Sequence, residues 1–188
     1  PAGTPPGLAY GNGRLEATET AVSTKVQGKL VDVYFREGAD LKTGEVAAQL
    51  DDAQLKADIR AAEAAVEQAR ETAKAAREDV KSAQSQQELA GVTLKRTQEL
   101  IKKGFISAAQ LDKDVSSMRT ANASLASARN RVSQADASIA EAEARVASLQ
   151  SNLDDLTLKS PVDGRILYRL AEPGEVLSPG GRVFSILD

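Results

Sequence analysis

One motif is written twice in this chain, 136 residues apart, and a heptad repeat runs between the copies. Residues 26–51 read VQGKLVDVYFREGADLKTGEVAAQLD, and residues 162–188 read VDGRILYRLAEPGEVLSPGGRVFSILD. At that offset Val26 matches Val162, Gly28 Gly164, Leu30 Ile166, Gly38 Gly174, Leu41 Leu177 and Gly44 Gly180. After one inserted residue the matches resume as Val46/Val183, Leu50/Leu187 and Asp51/Asp188. Two copies are too few for a solenoid, which needs three or more stacked units. The pattern predicts two half-domains that close on each other, with a long excursion leaving between them.

The excursion can be placed in register. From Leu55 the seam positions run Leu55, Ile59, Ala62, Val66, Ala69, Ala73, Ala76, Val80, Ala83, Gln87, Ala90, Leu94, Thr97 and Ile101. A matching series runs Leu111, Asp114, Met118, Ala121, Leu125, Ala128, Val132, Ala135, Ile139, Ala142, Val146, Leu149, Leu153 and Leu156. Alternating steps of four and three are a heptad repeat, which predicts a left-handed supercoil. Folded between Ile101 and Leu111, the two series pair so that residue numbers sum to 211 or 212. The expectation is therefore an antiparallel two-helix hairpin over 52–157, roughly 70 Å long at 1.5 Å per residue. Its tip is expected at 104–107, between half-domains at 10–51 and 158–188, with 1–9 as linker.

Local signals agree with that turn. Lys102 and Lys103 complement the end of the first helix, and Gly104 suits a left-handed C-terminal position. Ser107 with Gln110 reads as a capping box for the second helix. The middle of the seam is alanine on both sides, so its burial contributes little, about 0.8 kcal/mol per methylene. The hairpin alone is expected to be weakly held and the chain weakly self-associating. Exposed i,i+4 pairs such as Glu141–Arg145 and Glu99–Lys103 are expected to keep the outer face soluble.

The flanking copies alternate valine and leucine with turn signals at Gly38, Gly44, Pro173–Gly174 and Pro179–Gly180–Gly181. Short strands joined by such turns predict a small barrel or flattened sandwich, and the fold class is α+β. Residues 12–24 are expected to add strand, with Leu15 and Val22 buried. The repeated glycines are all read as turn residues with positive φ. The acidic pairs Asp51–Asp52 and Asp154–Asp155 sit at helix ends, where capping or solvation accounts for them.

Composition narrows the chemistry. Histidine and cysteine are both absent, which removes the commonest general base and all thiol chemistry. A net charge of −3 offers no basic field for nucleic acid. The sequence points to no enzyme, no metal and no cofactor. The chain begins at Pro1 and reads as part of a longer protein, so a missing membrane segment carries no information.

The duplicated pattern G-x-[LI]-x(7)-G-x-x-[VL]-x-x-G, interrupted by a helical hairpin, resembles the HlyD-type membrane fusion proteins. The phrases YGNGRLE, VQGKL and EPGEVLSPGGRVFSILD are most similar to the YbhG-type branch, which works with ABC transporters. The resemblance covers residues 11–188 and implies a split lipoyl-like β-domain carrying the hairpin. It also implies a periplasmic adaptor, anchored to the inner membrane and assembled as a ring in the full-length protein. Its partners would be an inner-membrane transporter, preferably of ABC type, and a TolC-like outer-membrane channel.

In that family the hairpin tip docks on the channel through an Arg-x3-Leu-x6-Ser pattern, which Arg96, Leu100 and Ser107 match. The implied contact set is Arg96, Leu100, Lys103, Gly104, Phe105, Ile106 and Ser107. Capping alone accounts for Ser107, and solvation alone for Arg96. Leu100 beside a seam already filled by Ile101, and Phe105 and Ile106 at an apex, call for another contact. Two other functions compete. A lipoyl or biotinyl carrier domain needs its lysine on a tight turn between the half-motifs, where this chain has the coiled coil. A passive coiled-coil scaffold has no need for a duplicated base.

Overall fold

The computed structural model describes residues 17–188, and the linker 1–9 and Leu15 lie outside that range. The chain forms two compact units, a β-unit from its two ends and a helical unit spanning Ala53–Ser151.

The β-unit contains β1 (Glu19–Ser23), β2 (Gly28–Val33), β3 (Asp40–Leu41) and β4 (Val46–Leu50) from the half before the hairpin. The half after the hairpin supplies β5 (Thr157–Lys159), β6 (Gly164–Arg169), β7 (Val176–Leu177) and β8 (Arg182–Leu187). They make two four-stranded antiparallel sheets, ordered β1-β8-β6-β3 and β5-β4-β2-β7. Exchanging equivalent strands between the copies turns one order into the other. Each sheet therefore draws strands from both halves, built around one pair from a single half, β6–β8 in the first and β2–β4 in the second.

Backbone hydrogen bonds repeat this exchange. The Leu30 amide donates to Glu175 O (2.8 Å), and its equivalent, the Ile166 amide, donates to Ala39 O (2.9 Å). Gly38 donates to Ile166 O (2.8 Å), and Gly174 to Leu30 O (2.7 Å). Gly44 reaches Ser160 O and Gly180 reaches Thr24 O, both at 2.8 Å. Thr24 and Ser160 are a further equivalent pair that the sequence comparison did not reveal. Both are buried, and each hydroxyl donates to the carbonyl two residues on, at 2.6 Å. A buried hydroxyl without such a partner would cost about 1–3 kcal/mol.

The core between the sheets holds Val22, Leu30, Leu41, Leu50, Ile166, Leu177, Val183, Phe184 and Ile186, all buried. Fully burying each side chain of that size contributes about 1.5–3 kcal/mol. The copies diverge at their ends, since Leu50 is buried while Leu187 is 37% exposed. The glycine expectation needs correcting too. Gly38, Gly44, Gly174 and Gly180 have positive φ, but Gly28 and Gly164 do not. Those two open β2 and β6, where a Cβ at Gly164 has no room against the β8 backbone and one at Gly28 is crowded by the Leu50 side chain.

One exposed carboxylate ties the copies together. Asp163 Oδ1 accepts from the Thr43 amide (2.6 Å) and from its hydroxyl (2.8 Å). The amide bond is the main cause, with the hydroxyl bond next, holding this carboxyl below the ordinary aspartate range. A depressed folded pKa means stability present above the unfolded value, near 4, and lost as pH falls through the folded one. Asp163→Asn is thus expected to be less stable than wild type at pH 7, with the gap closing below about pH 4. Urea midpoints measured at the two pH values check this.

In the helical unit, α1 (Ala53–Lys102) is followed by α2 (Ala108–Asp155). The buried helix residues are Ile59, Ala62, Val66, Ala73, Ala83, Thr97, Asp114, Ala121, Leu125, Ala128 and Ala135. Every one lies on the two heptad series. The pairing sums hold as well, because Ala83 packs in one cluster with Ala128 and Val80, and Thr97 bonds Asp114. Glu141–Arg145 and Glu99–Lys103 do not pair. The ion pairs along the hairpin include Arg70–Glu67 and Lys81–Glu78 at i,i+3, with Arg70–Glu143 and Arg77–Asp136 across the helices. Exposed pairs are worth so little that side-chain entropy decides among them.

Candidate functional site at the hairpin tip

The chain reverses at the tip through a compact turn. The Phe105 amide donates to Leu100 O and the Gly104 amide to Ile101 O, both at 3.1 Å. This pair of bonds is a Schellman motif, and it satisfies carbonyls that the end of α1 would otherwise leave open. Gly104 takes φ of 79°, which the motif requires and glycine adopts without steric cost. Ser107 caps α2, its Oγ accepting from the Gln110 amide at 3.4 Å. The expected capping box is only half formed. The Gln110 side chain turns instead to Asp114 Oδ1, at 3.1 Å, because a carboxylate is a stronger acceptor.

This turn sets the exposure of the expected contact residues. Arg96, Lys103, Gly104 and Ser107 are exposed, Leu100 and Ile106 are half-buried, and Phe105 is 75% exposed. The Phe105 amide is committed to the helix end, which fixes its backbone at the apex, off the seam. Arg96, Leu100 and Lys103 lie on one flank of α1, beside the seam residues Thr97 and Ile101.

That flank continues farther than the sequence reading took it. Leu89 is 69% exposed and Val92 57% exposed, seven and four residues before Arg96. Leu89 borders a groove of about 270 Å³ lined by Gln86, Ala90, Thr93, Asp114 and Ser117. Both residues fall off the heptad series, as Leu100 does, and that was the signal that could have found them. Among the described residues no cluster of three or more histidine, cysteine, aspartate or glutamate side chains could hold a metal. Between β4 and β5, where a carrier domain needs its lysine on a tight turn, this chain has α1 and α2. No described helix is long and apolar enough to cross a membrane.

The sequence is 27% identical to the 36 kDa antigen of Helicobacter pylori, over 94% of this chain and 61% of that protein. It is 30% identical to the multidrug resistance protein MdtA of Escherichia coli, over 93% of this chain and 36% of that protein. The chain thus spans less than two thirds of the length of these relatives. Among solved structures, MacA from Actinobacillus actinomycetemcomitans superposes with a TM-score of 0.63 at 18% identity, covering 92% of this chain and 51% of that one. The periplasmic adaptor protein EmrA gives a TM-score of 0.50, also at 18% identity, over 92% of this chain and 73% of that one. Both are likenesses of fold. The family profile described as the barrel-sandwich hybrid domain of RND MFPs matches residues 18–188, and this chain belongs to that family of membrane fusion proteins.

Proposed function

We propose that this chain is the adaptor portion of a tripartite efflux or secretion assembly, and that its hairpin tip docks on a TolC-like outer-membrane channel. The observation that carries the reading is Phe105, a large aromatic side chain 75% exposed at a rigidly capped helix end. With Leu100 and Ile106 it forms an apolar tip beside Lys103, and Leu89 and Val92 extend the same flank down α1 past Arg96. Such a surface suits a groove between partner helices, with apolar anchors buried and cations at the rim. The likeness to a multidrug resistance protein and, in fold, to a periplasmic adaptor protein supports this reading.

In this reading the protein works in the periplasm, held to the inner membrane in its full-length form, and acts structurally rather than as a catalyst. Its inner-membrane partner is a transporter. The short sequence phrases favour an ABC type, whereas the matched family carries the RND designation. The test is a photo-cross-linking residue at position 105 of the full-length native protein. A covalent adduct with an outer-membrane channel is expected, and adducts only with other copies of the adaptor would reject the docking role. A second cross-linker in the β-unit, at Tyr168, identifies the transporter class.

A further inference from the structure

We infer that Thr97, Asp114 and Gln110 form a polar clamp that holds the last turns of the hairpin together and so positions the tip. The seam is otherwise apolar or small here, yet Thr97 and Asp114 are 5% and 7% exposed. Thr97 Oγ1 donates to Asp114 Oδ2 at 2.5 Å, and Gln110 Nε2 donates to Oδ1 at 3.1 Å. The clamp therefore spans the two helices and also reaches back to the first turn of α2. Gln110 can serve it because its side chain does not close the capping box.

Beyond the clamp the two series offer only Ile101 and Leu111, both half-buried, before the turn. The alanine-rich middle of the seam adds little to hold them, since alanine buries so little surface. A buried carboxylate is costly when one of its donors is removed, so this contact is satisfied only when the helices are fully zipped. Leu100 and Arg96 flank Thr97 on α1, and Asp114 lines the groove beside Leu89. The clamp thus fixes both the tip and the adjoining flank. Its consequence for docking rests on the function proposed above, but the clamp itself does not.

Amide hydrogen exchange of the whole chain, with channel capture by the full-length protein, separates the two. Thr97→Val strands one carboxylate oxygen and is expected to speed exchange at residues 98–111 by about tenfold to a hundredfold. Thr97→Ser restores the donor and is expected to stay within about threefold of wild type. Thr97→Val/Asp114→Leu, which removes both partners, is expected to return toward wild type as well. Exchange at 98–111 that changes less than about threefold in Thr97→Val would overturn the clamp. Accelerated exchange with undiminished capture would uphold the clamp and remove its role in docking.

Discussion

Gly164→Ala is expected to destabilise the β-unit by about 3 kcal/mol, at the severe end for one added methyl in a packed site. A Cβ at position 164 would lie 2.4 Å from the Leu187 carbonyl oxygen and 2.6 Å from Ile186 Cγ2. The first neighbour is backbone in β8, a strand held between β1 and β6, so it cannot move without breaking two ladders. The duplicated position is a built-in control. At Gly28 the new Cβ would meet Leu50 Cδ1 at 3.0 Å, the far end of a flexible side chain. Gly28→Ala is therefore expected to cost about 1 kcal/mol or less, part of it offset by a stiffer unfolded chain. Thermal unfolding followed in the tyrosine near-ultraviolet signal checks both, because the described tyrosines, Tyr34 and Tyr168, lie in the β-unit. A loss of about 3 kcal/mol would lower Tm by roughly 10–20 °C in a unit of this size. Equal Tm values for the two variants would show that β8 yields more easily than its pairing implies.

Leu100→Asp is expected to weaken channel capture by the full-length protein about a hundredfold while leaving helical circular dichroism unchanged. The magnitude follows from burying a charge where an apolar anchor belongs, since central interface anchors cost 2 kcal/mol or more on truncation alone. Leu100 is half-buried beside the seam rather than in it, so the helices can keep their contacts without it. Its carbonyl still accepts from Phe105, a backbone bond that the substitution leaves in place. Leu89→Asp, lower on the same flank, is expected to reduce capture about tenfold if the groove there is covered by the partner. Capture of Leu100→Asp at wild-type strength would place the contact elsewhere on the tip.

The helical seam was legible because period and burial coincide. Every buried helix residue falls on a heptad position, since one stripe of a long two-helix hairpin is the only surface that can be hidden. Leu89 and Val92 were missed because a seam search discards whatever lies off the stripe, and there a large apolar side chain is the informative case. The missed Thr97–Asp114 contact has a different cause. Both residues were placed at opposing positions, but a heptad pattern treats polar members as interruptions and not as partners. Gly28 and Gly164 were misread because glycine in sequence does not distinguish a left-handed turn from a strand position crowded at Cβ.

By itself the sequence determined the antiparallel register of the hairpin, its turn at Gly104, the α+β class and the two-copy base. Those follow from periodicity and from residues such as glycine and serine whose conformational preferences act locally. Only the tertiary structure decided that each sheet takes strands from both copies. Strand pairing is a non-local choice, and nothing in a motif says which partner its edge will meet. The same holds at the tip. Sequence placed Phe105 at the apex, but its exposure depends on backbone bonds to Leu100 and Ile101 that form only once the turn is closed.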